Sequence, residues 1–401
     1  MNRLTIVLAA CGIHLCIGSV YAWSVLTNPI AKLTGWQLSE ITFTFSLAIL
    51  FLGFSAGCLG NYVQKWGARK SSFISCLCFV TGLLGSAFAI HIQSLLLLYF
   101  FYGCIGGIGL GVGYIAPVAT LLKWFPTARG FAGGCAVMSF GFSAMLAGPL
   151  MQFLIDNYGV ENNLIIVALL YAIIMSISAS KIKPAPKIFN INADKMPVST
   201  KKGMKDFVTK KAMHTREFII LWIVFFINIA CGIALLSILS PMAENIGMDA
   251  VEAAGMVGII GMINGGGRIF FASISDYLGR GFVYALFFVI EMLSFFWLSY
   301  ADNPFLFQSI VFVIVACYGG GFSCMPAYLS DLFGTRWISA IHGRILTAWG
   351  VAGIVGPMII TFIYEKYNTY TYSLRLFSAL FLISFILISY MIKRNEQRMI
   401  R

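Results

Sequence analysis

The feature that most constrains this chain is the recurrence of apolar stretches about 20 residues long and nearly free of charge. An α-helix rises 1.5 Å per residue, so each such stretch can cross the hydrocarbon core of a bilayer. Twelve of them fall near 4–26, 39–60, 72–91, 94–118, 129–153, 162–181, 217–240, 251–274, 282–300, 304–328, 339–363 and 371–392. Only 10% of the residues are charged, against about 25% in soluble domains, which excludes a soluble globular fold. The strict alternation that marks barrel strands is missing as well. The expected fold is an all-α polytopic membrane protein of twelve transmembrane helices. The first run is read as a spanning helix rather than a signal peptide, because its basic region is Arg3 alone and the run is long enough to span.

Charge sets the orientation. With the N-terminus in the cytoplasm, all but five of the 27 Lys and Arg fall in cytoplasmic segments. Lys32 and Lys366 lie outside, and Arg268, Arg344 and Arg375 lie within spans. By the positive-inside rule both termini and the polar stretch 182–216 are cytoplasmic, and a plasma membrane, in bacteria the inner membrane, is expected. The net charge of +12 is then orientation bias and attraction to anionic lipid, not a sign of nucleic-acid binding. The ten cysteines sit in apolar runs without metal-ligand spacing, so no disulfide, metal or cofactor is expected.

The chain repeats internally. Asn28-Pro29-Ile30-Ala31, Gly35 and Glu40 align at an offset of 212 with Ser240-Pro241-Met242-Ala243, Gly247 and Glu252, and Gly67 aligns with Gly279. Pro117 and Gly134 align at an offset of 209 with Pro326 and Gly343. Two six-helix halves, 1–181 and 217–401, joined by a basic linker over 182–216, make a transporter architecture with its site near mid-membrane between the halves.

One charge breaks this pattern. Arg268 lies inside the eighth run, directly after Gly265-Gly266-Gly267, and its counterpart in the first half is Ala56. A guanidinium at that depth costs at least about 2.5–3.5 kcal/mol and normally faces a protein or water-filled interior. Its planar fork suits a carboxylate. The sequence therefore points to a small anion.

The loop Gly60-Asn61-Tyr62-Val63-Gln64-Lys65-Trp66-Gly67-Ala68-Arg69-Lys70 and its counterpart Ala272-Ser273-Ile274-Ser275-Asp276-Tyr277-Leu278-Gly279-Arg280 resemble the G-x-x-x-D-x-x-G-R-[RK] loops of the major facilitator superfamily. In that pattern the acid caps a helix and pairs with the arginine, latching the halves. Gly67 and Arg69 mark the first copy, where Gln64 replaces the acid. Asp276 and Arg280 mark the second, which is expected to be the working latch.

Gly18-Ser19-Val20-Tyr21-Ala22-Trp23 with Asn28-Pro29, Lys123-Trp124-Phe125-Pro126-Thr127-Ala128-Arg129-Gly130, Asn264 to Arg268, and Ser330-Asp331-Leu332-Phe333-Gly334 are similar to the oxalate/formate antiporter family, relatives of the monocarboxylate transporters. The resemblance implies Arg268 as the anion site. It implies an aromatic lining of Tyr21, Tyr114, Phe140, Tyr318 and Phe322. In the oxalate-carrying member a second buried cation, a lysine, stands where this chain has Trp349.

These departures shape the expected function. One buried cation leaves a dianion half neutralised, so a monocarboxylate is favoured, and Arg344 is expected at the cytoplasmic interface. Proton-coupled relatives carry an acid where this chain has Asn264. His14 is read as the single histidine within the spans and a candidate proton site. Glu291 is expected outside the cavity, protonated or paired. Glycine runs in the fourth, fifth and eleventh spans allow close helix contact. The expectation is a monomeric carrier in membrane lipid, exchanging small carboxylates by alternating access. A proton-coupled carrier and a transport-inactive sensor are the alternatives; no nucleophile–base pair suggests an enzyme.

Overall fold

A computed structural model describes residues 3–186, 207–248 and 250–400. The middle of the basic linker, with Lys187, Lys195, Lys201, Lys202 and Lys205, lies outside the described residues, as does Asp249. All regular structure among the described residues is helical. Nine of the described helices are long and apolar enough to cross a membrane. Two of those nine, Leu38–His91 and Arg129–Lys181, are each a pair of helices joined at one glycine. In chain order the helices are α1 (3–34), α2 (38–66), α3 (68–91), α4 (95–124), α5 (129–158), α6 (160–181), α7 (216–245), α8 (Ala250–Leu278), α9 (Arg280–Leu298), α10 (Pro304–Phe333), α11 (Ile338–Tyr367) and α12 (Thr371–Ile400). Several run a turn or more beyond the apolar stretch that announced them.

The tight connections follow from local chemistry. Gly67 between α2 and α3 has φ 78°, and its repeat partner Gly279 between α8 and α9 has φ 88°. Side chains rarely adopt that region, which explains a glycine at both places. At the start of α2, Gln37 N–H donates to Glu40 Oε2 at 2.9 Å. At the start of α10, Asn303 Oδ1 accepts from Leu306 N–H at 2.9 Å, with Pro304 in the first turn. Both satisfy donors that a helix start leaves free.

The helices form two six-helix bundles that meet chiefly along α2 with α11 and along α5 with α8. Small residues bring the backbones together there. A Cβ on Gly60 would lie 2.8 Å from Ala340 Cα, and one on Gly53 would lie 2.8 Å from Gly350 Cα. The two interfaces also mirror each other. A Cβ on Gly134 would approach the Arg268 carbonyl at 3.5 Å, and one on its repeat partner Gly343 would strike the carbonyl of Ala56. Ala56 is the first-half counterpart of Arg268, so one interface is closed by backbone contact where the other carries the guanidinium.

α1 is not a uniform helix. It runs as Arg3–Ile17, tightens into a 3-10 stretch over Gly18–Ala22, and resumes over Ser24–Thr34. A Cβ on Gly18 would lie 2.8 Å from Phe140 Cα on α5. This close approach brings the tightened turn, with Tyr21, against the middle of α5.

Candidate functional site

Arg268 is 1% exposed, on α8 where that helix packs against α5 and α10. Its Nε donates to Asn264 Oδ1 at 2.9 Å, one turn back on α8, and Nη1 donates to the Val137 carbonyl on α5 at 2.9 Å. Asn264 Nδ2 in turn donates to the Val315 carbonyl on α10 at 3.3 Å. The guanidinium lies over the Phe322 ring, 5.2 Å from its centroid, in cation–π geometry. Nη2 is buried and has no hydrogen-bond partner among the described residues. The fork is thus pinned on two sides by neutral groups, and its positive charge meets no carboxylate among the described residues.

Glycines make the pinning possible. A Cβ on Gly141 would lie 3.1 Å from Arg268 Nε, and one on Gly319 would lie 3.1 Å from Arg268 Cγ. Within the triplet, a Cβ on Gly267 would sit 2.7 Å from Ala316 Cα on α10, and one on Gly265 would sit 2.7 Å from the Phe142 ring on α5. Gly266 faces nothing within 4 Å. Two of the three glycines seat α8 between its neighbours.

The aromatic residues singled out in the sequence converge on this point. Phe322 packs on Trp349 with ring centroids 4.8 Å apart, and Trp349 packs on Tyr114 at 5.4 Å and Phe140 at 5.8 Å. Tyr21 meets Phe140 at 5.2 Å, and Tyr318 meets Phe322 at 5.4 Å. These rings come from α1, α4, α5, α10 and α11, so both bundles contribute. Tyr21 Oη, Tyr114 Oη and Trp349 Nε1 are buried without a hydrogen-bond partner among the described residues. Together with Arg268 Nη2 they place four unpaired polar atoms in one apolar box. Each buried unsatisfied group costs about 1–3 kcal/mol, so several in one place call for an explanation.

The sequence reading missed one member of this neighbourhood. His14 is not the single histidine in the spans: His342, one turn into α11, is 1% exposed. Its ring lies 5.9 Å from Tyr114, and that of His14 lies 5.2 Å from Tyr114. The position lies inside an apolar run, two residues before Arg344. Arg344 itself is half-buried, with Nε unpaired among the described residues.

Glu291 stands apart from the box. It is 1% exposed, and Asn228 Nδ2 donates to its two oxygens at 3.1 and 3.3 Å, linking α7 to α9.

At the end of the bundle that carries the chain termini, charged residues bind the halves together. Asp276 accepts from Gly130 N–H and Phe131 N–H, both at 2.9 Å, so it caps α5 from the other bundle. Arg280 pairs with Asp276 and, through Nε at 3.2 Å, with Asp331. Arg129 Nη1 donates to Asp331 at 2.9 Å. Arg129 and Asp331, 202 positions apart, complete a four-residue cluster of which the sequence showed only Asp276 and Arg280. The first loop copy is different. Arg69 is exposed and takes no part in this cluster, and Gly67 serves as the α2–α3 turn. Gln64, at the acid's position, cannot form the charged pair that latches the second copy.

Comparison with known proteins agrees with this architecture. The Major Facilitator Superfamily model matches residues 8–357. An uncharacterized MFS-type transporter of Escherichia coli, YhjX, is 25% identical over 342 residues, covering 84% of this chain and 82% of its own. The oxalate:formate antiporter of Oxalobacter formigenes is 27% identical over 354 residues, covering 88% and 82%. Among solved structures, the human organic anion transporter MFSD10 superposes with a TM-score of 0.73 at 15% identity, over 97% of this chain and all of that one. The proton:xylose symporter XylE does so with a TM-score of 0.72 at 15%, over 97% and 95%. One fold thus serves a sugar and an organic anion, and it leaves the cargo to the residues of the site. Matched by that family model over most of its length, the chain belongs to the Major Facilitator Superfamily of multi-pass membrane transporters.

Proposed function

We propose that this transporter carries small organic anions, monocarboxylates above all, by alternating access and in exchange. The observation that carries this reading is Arg268 Nη2, a buried charged donor without a partner among the described residues, set among Tyr21, Tyr114 and Trp349 whose polar atoms are likewise unpaired. A carboxylate bound to Nη2 would neutralise the guanidinium and accept from the tyrosine hydroxyls, while Phe140, Tyr318 and Phe322 exclude water from it. The charge count favours a monoanion, because Trp349 occupies the position at which a second cation would help a dianion. The names of two groups of similar proteins, the oxalate:formate antiporter and the monocarboxylate transporters, are consistent with a carboxylate.

Access follows from the two ends of the molecule. The latch of Arg129, Asp276, Arg280 and Asp331 holds the terminal end closed, and the box is buried, so cargo enters and leaves only as the bundles 1–181 and 217–401 rock about it. The basic residues support a latched end that lies in the cytoplasm of a plasma membrane, with the protein acting as a monomer. Exchange fits a site whose one charge is uncompensated without cargo: crossing with an unneutralised guanidinium is costly. Asn264 supports a carrier without a carboxylate proton site beside the arginine.

The test is counterflow in proteoliposomes. Liposomes loaded with formate, lactate, pyruvate or oxalate are assayed for uptake of the labelled anion. Trans-stimulated uptake of a monocarboxylate is expected. Ligand binding without flux would instead indicate a sensor.

A further inference from the structure

His14 and His342 are buried, come from opposite bundles, and each contact Tyr114. His14 Nδ1 is 3.2 Å from the Ala10 carbonyl, which fixes it as the N–H donor and leaves Nε2 as the acceptor. Nε2 of His14, Nδ1 of His342 and Tyr114 Oη all lack partners among the described residues. An unpaired imidazole nitrogen on each side of a buried tyrosine is costly packing. Among the described residues, none of the groups acting electrostatically on either ring is a carboxylate. We infer that His14 and His342 form a proton-bearing subsite beside Tyr114 that supplies the second positive charge for a dicarboxylate. A dicarboxylate then crosses with one proton, and a monocarboxylate with none. This rests on Arg268 being the anion site.

The charge bookkeeping is the reason. A monocarboxylate on Arg268 leaves the box neutral. A dicarboxylate leaves one negative charge, which a low-dielectric site does not tolerate. Trp349 provides no fixed cation, but an imidazole that binds one proton from solution restores neutrality. When no dianion is present, that same proton would face the Arg268 charge, so its uptake is tied to the cargo. His342 is seven residues before Trp349 on α11, roughly 10 Å toward the latched end, and Tyr114 spans the gap by touching both.

Among the described residues, the surroundings contain no second imidazole pair of that kind. Tyr21 on α1, Tyr114 on α4 and Tyr318 on α10 offer hydroxyls, and Arg268 on α8 offers the fixed charge. Cys11, a turn before His14, donates to the Cys135 carbonyl on α5 at 3.5 Å. α2 meets α11 here through Ala56 and Gly60. The short helix Thr209–Met213 packed on α11 brings Lys210 and Lys211.

Proteoliposomes loaded with a pH dye test this with formate and oxalate, between about pH 5.5 and 7.5, where oxalate stays a dianion. The expected result is an oxalate-to-formate flux ratio that rises as pH falls, by about tenfold per unit above the imidazole titration point. One proton should enter with each oxalate and none with formate. In the folded double variant His14→Gln/His342→Gln the ratio should become independent of pH. A flat wild-type ratio, oxalate entry without a proton, a slope surviving in the double variant, or formate flux with no oxalate flux at any pH would each overturn the inference. If the double variant does not fold, the proton count per oxalate on the wild type decides. Absence of flux for every carboxylate at every pH would instead overturn the anion reading of Arg268.

Discussion

Arg268 Nε and Asn264 Oδ1 lie 2.9 Å apart on successive turns of α8. The amide oxygen orients the guanidinium without neutralising it. Asn264 is itself held by the Val315 carbonyl, so the pair is anchored to α10 and the charge remains available. Replacing Asn264 with Asp would put an anion four residues before the arginine, at the spacing that favours an ion pair. The prediction for Asn264→Asp is an anion affinity lower by about tenfold, equivalent to about 1.4 kcal/mol, recovered in part at acidic pH. Titration of substrate binding across pH checks it; an unchanged affinity would show that cargo does not use this guanidinium.

The glycine triplet separates packing from chemistry. Gly266→Ala should retain flux and thermal stability, because its Cβ points to open space and alanine suits a helix better than glycine by about 1 kcal/mol. Gly267→Ala should lose both, since its Cβ would press on the α10 backbone at Ala316. Melting temperature with counterflow in the two variants distinguishes them; equal behaviour would contradict the packing assigned to α8.

The latch predicts a change of conformational balance. Asp331 joins Arg129 of one bundle to Arg280 of the other, and its carboxylate is largely buried. Asp331→Asn should favour opening of the terminal end by about 1–3 kcal/mol. A cysteine placed at Ala272, which packs against Gly134 in the closed form, should then react faster with a thiol reagent added from that side. No change in rate would mean that the cluster does not hold the halves.

Glu291 tests the boundary of the site. The Asn228 oxygen is unpaired among the described residues while its amide donates to Glu291. Glu291→Gln can return a donor to that oxygen, so flux should persist and the melting temperature should hold or rise. Glu291→Leu removes the acceptor and should cost about 1–3 kcal/mol. Loss of transport in the Gln variant at normal stability would give this carboxyl a part in coupling that its position behind α10 does not suggest.

Much of this was legible in sequence because a bilayer makes composition speak. A lone Arg268 in an apolar run is conspicuous, and the repeat exposed it further through Ala56. Gly67 and Gly279 could be paired by spacing before their positive φ angles were seen. The latch was half legible: Asp276 and Arg280 belong to one loop, whereas Arg129 and Asp331 sit at helix ends where charge is ordinary and meet only through tertiary contact. Reading His14 as the single histidine within the spans overlooked His342, which lies near the start of the run 339–363. That Arg69 lies outside the latch follows from Gln64: without the acid, the loop has no charge to close on.

Arg268→Gln carries the most direct test. Gln retains a neutral donor and much of the length, but it removes the charge and the fork. Binding of a transported monocarboxylate to the purified, folded variant, measured beside the wild type and followed by counterflow, is predicted to be lost along with flux. Wild-type affinity and flux in that variant would contradict the assignment of the anion to Arg268.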